Sequence, residues 1–315
     1  MLRGIIRTSA LVAGLALAAA PLRAESRIEK TLKLAPGGEF RLETDMGRVT
    51  VTGSSEEGVR IVVTSRRKDL NDLMTFRFDE GPGSVTVVAK KRHAISWFST
   101  GGGVAWEVRV PAETRLSIDT SGGAITVSGT RGGARLDTSG GGIEVRDLVG
   151  DLDADTSGGS ITLKDIKGSI RAETSGGGID GSALEGPVHA ESSGGSIELE
   201  SVTGDIVANT SGGSIRIDGA GGRVQADTSG GGIEASFAPG NSRGGSLETS
   251  GGGIRVRLDP ASDLSIEASG NPVETDLPIQ VRGRVSRDRV HGTLGKGGNT
   301  LRLETSGGGV HIQPL

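Results

Sequence analysis

DTSGGGIEVRDLVGDLDADTSGG, residues 137–159, opens and closes on one phrase, and variants of that phrase recur through most of the chain. Aligned on it, the chain repeats every 18 residues. Ile125, Ile143, Ile161, Ile179, Ile197, Ile215 and Ile233 keep this period without a slip, and so do Thr120, Thr138, Thr156, Thr174, Ser192, Thr210 and Thr228. A third column, Gly132, Gly150, Gly168, Gly186, Gly204 and Gly222, marks a second corner. A fixed period held over six intervals is the signature of a repeat architecture, in which each unit buries its apolar face against the next.

Within the unit, residues alternate. Leu152, Ala154 and Thr156 point one way, with Asp153 and Asp155 between them; past the Gly pair, Ile161 and Leu163 point inward and Thr162 and Lys164 outward. Period-two alternation over four to six residues specifies strands, and the Gly pairs between them specify tight corners. No segment after residue 24 carries a sustained 3.6-residue apolar stripe, so helix content near zero is expected. Two strands and their corners, repeated in register, describe one coil of an all-β fold, a parallel β-solenoid (single-stranded β-helix) with 18-residue coils. Each strand then pairs with its equivalents at ~4.8 Å spacing, and like residues stack: Ile on Ile, hydroxyl on hydroxyl, and Ala154, Ala172, Ala190, Ala208 and Ala226 in a thin column. A left-handed hexapeptide helix also has 18 residues per coil, but counting six from Ile125 gives Arg131 and then Asp137, so the hexad fails. Tandem GGxGxD calcium repeats are absent. Handedness is left open by this pattern.

The flanks read as less regular coils of the same body. Phe40–Gly53 and Val110–Gly129 share the strand, corner, strand pattern, and LETSGGGIRVRL (Leu247–Leu258) shifts the register to 21 residues. LRLETSGGGVHI (Leu301–Ile312) adds a final rung. The expected organisation is a leader over 1–24 and one domain over 25–315. That domain divides into irregular N-terminal coils (25–118), regular TSGG repeats (119–258) and C-terminal coils (259–315).

Composition narrows the chemistry. The 315 residues include 55 Gly, 5 Phe, 2 Trp and no Tyr or Cys, so disulfides, thiolate metal sites and cysteine nucleophiles are excluded. His93, His189, His291 and His311 show no metal-ligand spacing. Arg3 and Arg7 followed by the apolar run Ala10–Ala20, Pro21 and a small residue at Ala24 read as a cleavable export signal too short to span a membrane. Its removal leaves 32 basic against 39 acidic residues, a net charge of −7 that argues against nucleic acid as a partner. The expected location is the periplasm or cell surface, with no transmembrane segment after cleavage.

On three stretches the sequence resembles the bacterial putative-adhesin family of β-solenoid domains of unknown function. They are the entry LAPGGEFRLETDMGRVTVTG (Leu34–Gly53), the DTSGGxIxV rungs, and the closing GKGGNTLRLETSGGGVHI (Gly295–Ile312). The resemblance covers nearly all the mature chain. It implies a coiled parallel β-fold, export to the cell envelope and no known active site.

The chemical motifs have bland alternatives. Gly240-Asn241-Ser242-Arg243-Gly244 matches GxSxG, but a strand and corner follow where the nucleophile elbow needs a helix. Gly176, Gly178 and Gly181 satisfy GxGxxG without the helix N-terminus that would hold a pyrophosphate. The hydroxyl column from Thr120 to Thr228 reads as a corner device, each side chain bonding the backbone of its turn. An acidic column runs outward beside it: Asp119, Asp137, Asp155, Glu173, Glu191, Asp227 and Glu248, interrupted by Asn209. It is either a solvated face screened by salt and by Arg135, Arg171 and Arg223, or a linear array for divalent cations or a cationic partner. Trp97 and Phe98, near the basic Lys90, Lys91 and Arg92, either cap the open end of the solenoid or form a recognition patch.

No cofactor and no catalytic residue is assigned. The reading that results is a non-enzymatic, exported structural or binding module of the cell envelope, partnered by an envelope protein or a surface polysaccharide. Its alternatives are a polysaccharide-active β-helix enzyme or a partner in envelope stress signalling.

Overall fold

Two sheets face each other across an aliphatic core, and through the regular repeats the chain crosses between them at every corner. In the computed structural model, which describes residues 26–66, 69–92, 103–281 and 286–315, one sheet has 14 strands and the other 15. The strands that begin on the Ile column form the first, here the Ile sheet; those that end on the Thr column form the second, the Thr sheet. In the coil quoted above, Ala134–Thr138 lies in the Thr sheet, Ile143–Val149 in the Ile sheet, and Leu152–Thr156 returns to the Thr sheet. Pairing is parallel and in register: Ile143 lies between Ile125 and Ile161, and Thr138 between Thr120 and Thr156. The parallel β-solenoid expected from the spacing is the observed fold.

The alternation fills the interior as expected, with one addition. Ile161, Leu163, Leu152 and Ala154 are all buried. After four alternating positions, however, the Ile-sheet strand bends, and a second apolar column turns inward: Leu148, Ile166, Leu184, Val202 and Ala220. The bend sits one residue earlier, where Asp147, Asp165, Ala183 and Ser201 adopt φ of 52–56° and Gly129 and Gly219 occupy the same column at 69° and 71°. Where the interior column supplies Gly181, the side chains of Leu184 and Leu199 close over it. That glycine, part of the GxGxxG match, is a core position on the strand Ile179–Glu185.

The corner glycines answer a spacing constraint. A Cβ on Gly159 would lie 2.1 Å from the carbonyl oxygen of Gly141, one coil earlier, and the same overlap recurs at Gly177, Gly195, Gly213 and Gly231. Stacked corners bring backbone against backbone, and only glycine leaves room.

The two ends depart from the uniform coil. Near the N-terminus, Val59–Ser65 runs antiparallel to Val104–Pro111 and to Ser26–Leu32, while Met74–Gly81 runs antiparallel to Ser84–Lys91. The helix Leu70–Leu73, capped by Asp69, is the only one among the described residues. Near the C-terminus, Leu264–Ser269 and Arg289–Leu294 are antiparallel. These antiparallel elements make the flanks less regular than the coils between them. The closing segment corrects one expectation: Asn299–Thr305 and Val310–Pro314 are last in sequence but not in space. They insert between Gly245–Thr249 and Leu264–Ser269 in one sheet, and between Ile254–Leu258 and Val273–Thr275 in the other. The opening coil mirrors this, since Glu39–Thr44 and Arg48–Ser54 lie beneath the rung built from Ser84–Lys91 and Val104–Pro111.

Candidate functional site

The hydroxyl column is structural in geometry. Thr156 Oγ1 donates to the carbonyl of Gly141 at 2.7 Å and accepts the Gly159 N–H at 3.3 Å, and the pattern repeats from Thr138 through Thr305. Each hydroxyl therefore ties its own corner to the one before it. Only the Thr120 hydroxyl, of the seven in the regular column, is buried without a partner among the described residues. Ser242 also serves a corner: its Oγ accepts the Asp263 N–H at 3.0 Å, and the strand Gly245–Thr249 follows where a nucleophile elbow would need a helix.

Strand alternation turns the acidic column outward on the Thr sheet, and register carries it beyond the run visible in the TSGG repeats. Glu43 pairs with Asp119, and Glu304 with Glu248, so carboxylates occupy nine of ten consecutive positions, broken only by Asn209. The signal for the two added rungs was present in the sequence: RLET stands at 41–44 and again at 302–305. Burial, then the neighbouring carboxylates of Asp119 and Asp155, push Asp137 above the ordinary aspartate range.

The expected screening is redistributed. Arg135 reaches across to Asp153 at 2.6 Å, while Arg171 pairs with Glu173 on its own strand. Arg223 lies at a corner, outside the column, where its backbone N–H meets the Asp205 carboxylate. Among the described residues Asp119, Asp137, Asp155 and Asp227 form no salt bridge. A histidine joins the column in one place, with His189 Nε2 3.9 Å from Glu173 and 3.7 Å from Glu191.

Lys90 does not stand apart as a basic patch. It pairs with Glu43, the first carboxylate of the column, and lies 3.5 Å from Asp45; its bond to Glu43 holds its ammonium above the usual lysine range. The Lys91 backbone N–H donates to Asp45 at 2.8 Å, and that of Arg92 to the carbonyl of Leu73. Trp97 and Phe98 lie outside the described residues. Of the other aromatics, Trp106 is fully buried and donates its indole N–H to the carbonyl of Met46. Phe76 stacks with Phe78 at 6.3 Å and meets Trp106 at 5.8 Å, closing the N-terminal end between the sheets.

At its other end the acidic column runs into a groove of about 670 Å³. Asp227, Glu248 and Glu304 line one side, and Glu267, Arg289 and His291 come from the antiparallel pair that continues the same sheet. This groove was not legible in the repeats, because its second wall is made by strands that break the period.

Three solved structures share the chain's extent at low identity. A putative adhesin from Bacteroides fragilis is 11% identical, covering 93% of this chain and 99% of its own, with a TM-score of 0.38. A putative lipid binding protein from Parabacteroides distasonis is 12% identical, with coverage of 92% and 97% and a TM-score of 0.36. A putative adhesin from Parabacteroides merdae is 10% identical, with coverage of 91% and 96% and a TM-score of 0.28. No curated protein matches. The Toastrack DUF4097 family model matches residues 39–313, from the first strand of the opening coil to the last strand of the closing one, and the chain belongs to that family.

Proposed function

We propose that the protein is a non-enzymatic, exported binding module of the cell envelope, one continuous solenoid from about residue 25 to 315 behind a cleavable leader. Its acidic Thr-sheet face engages a partner with positive charge or dense hydroxyls, either a basic segment of an envelope protein or a surface polysaccharide. The observation that carries this reading is the in-register column of carboxylates from Glu43 to Glu304. A flat, repeated face suits an extended partner, because every coil offers the same group at the same spacing. No described helix is long and apolar enough to cross a membrane.

The test is co-sedimentation of the mature protein with purified envelope polysaccharide, and with envelope proteins crosslinked to it, at rising salt. Binding should weaken with salt and be lost in an Asp155→Lys, Asp227→Lys double variant that still folds. Equal binding by that variant would refute the reading. One feature favours a polysaccharide-active enzyme instead, namely the groove that gathers Glu248, Glu267 and Glu304 beside His291 and Arg289. Release of new reducing ends by the wild type but not by Glu267→Gln would establish that alternative.

A further inference from the structure

The Thr sheet presents one place where an imidazole stands between two carboxylates. His189 and Glu191 are two apart on the strand Val188–Ser192, so both point outward from the same face. Glu173, on the neighbouring strand Ile170–Thr174, is the register partner of Glu191, and Arg171 is that of His189. The four side chains thus mark the corners of a rectangle, with three potential metal ligands and one competing cation. One donor atom from each of Glu173, His189 and Glu191 lies within 4.8 Å of the other two, and no other such trio exists among the described residues.

Glu173 Oε1, the oxygen nearest His189 Nε2, is shut off from solvent and is held by the Arg171 guanidinium on its own strand, so a metal at this oxygen has one cation to displace. The strands beneath are fixed, since Ala172 and Ala190 are fully buried directly under the site. Ligands on strands are held more firmly than ligands on loops.

We propose that Glu173, His189 and Glu191 form a surface site for a first-row divalent transition ion of the zinc, cobalt or nickel type, which Arg171 opposes by occupying Glu173. The donor set decides the ion: imidazole suits these metals, whereas calcium and magnesium take oxygen alone. Tetrahedral metal–ligand bonds of about 2.0–2.2 Å place neighbouring donors roughly 3.3–3.6 Å apart. Closing the observed 3.7 and 3.9 Å gaps therefore takes small rotamer changes in the half-buried Glu173 and His189 and the exposed Glu191. A dication also offsets the crowding of Asp155, Glu173 and Glu191 on three successive coils. Three protein ligands leave at least one position open to water or to a partner's side chain.

The test titrates Zn²⁺, Co²⁺ and Ca²⁺ into the full chain by calorimetry, alongside thermal melts and the Co²⁺ visible spectrum. The expected result is one Zn²⁺ or Co²⁺ per chain, a raised melting temperature and weaker binding of Ca²⁺. His189→Asn should lower zinc affinity by at least about tenfold, while His291→Asn and His311→Asn leave it unchanged. Arg171→Gln should tighten binding, a gain that a non-specific acidic surface would not show for zinc over calcium. Absence of zinc binding at millimolar concentration overturns the proposal. So does zinc affinity indifferent to both His189→Asn and Arg171→Gln, with metal-free melting temperatures confirming that each variant folds.

Discussion

The hydroxyl of Thr156 meets the carbonyl of Gly141, fifteen residues earlier and one coil away, at 2.7 Å, while accepting the N–H of Gly159 three residues later. One side chain thus satisfies two backbone groups in two different corners. Replacing it with valine keeps the shape and strands both groups, at a cost of about 1–3 kcal/mol by urea unfolding. Thr156→Ser should stay close to the wild type, because Ser192 makes the same pair of bonds in its own coil. Equal loss in both variants would show that packing of the methyl group, and not the hydroxyl, holds the corner.

Adjacent glycines of one corner should respond very differently. A Cβ at Gly159 would sit 2.1 Å from the Gly141 oxygen, whereas at Gly158 its nearest neighbour would be 3.4 Å away. Gly159→Ala is expected to cost ~4 kcal/mol or prevent folding, and Gly158→Ala to change stability by no more than ~0.5 kcal/mol. Chemical denaturation of the two side by side reads the contrast directly.

The bend column offers a stabilising change. Ala183 holds φ of 54°, a region that costs a residue with a Cβ roughly 1–2 kcal/mol. Gly129 and Gly219 occupy the same column without that penalty. After the entropy that glycine adds to the unfolded chain, Ala183→Gly should gain about 0.5–1 kcal/mol, visible as a higher melting temperature. A lower melting temperature would mean that the bend is not strained.

Asp137 gives the acidic face a pH signature. Its pKa is raised by burial first and then by Asp119 and Asp155. A carboxyl that holds its proton more tightly when folded makes stability fall as pH rises through the interval from its unfolded pKa to its higher folded one. Above that interval the loss is complete; below it the loss is absent. Asp137→Asn should therefore melt above the wild type at neutral pH, with the difference closing below about pH 4. A difference that does not depend on pH would assign the effect to packing.

The coil was legible because its constraints repeat. Ile125 through Ile233, the Thr column and the corner glycines each answer the same demand once per turn, so their spacing alone fixes strand, corner and register. The inward turn at Leu148, Ile166 and Leu184 was hidden by a residue in the left-handed region, which breaks simple alternation without changing the period. That apolar column also recurs every 18 residues, and its own periodicity was the available signal. The caps were less legible, since antiparallel pairing at Val59–Ser65 and Arg289–Leu294 depends on contacts between segments that share no repeat. Of the site, the carboxylates from Asp119 to Glu248 could be read from the sequence. The trio at His189 could not, because histidine occurs there once and its neighbours are brought close only by the stacking of strands.

Both ends of the stack are finished by strands that clamp a coil coming from the opposite direction in the chain. Glu39–Ser54 and Asn299–Pro314 are each covered from outside by their own cap. The coils between Thr120 and Gly245 make no demand on either closure beyond matching register. Adding or removing one 18-residue unit there would lengthen or shorten the rod by about 4.8 Å and leave both terminal assemblies as they are. The architecture therefore behaves as a molecular ruler whose reach is set by duplication within its middle, independently of how its ends are sealed.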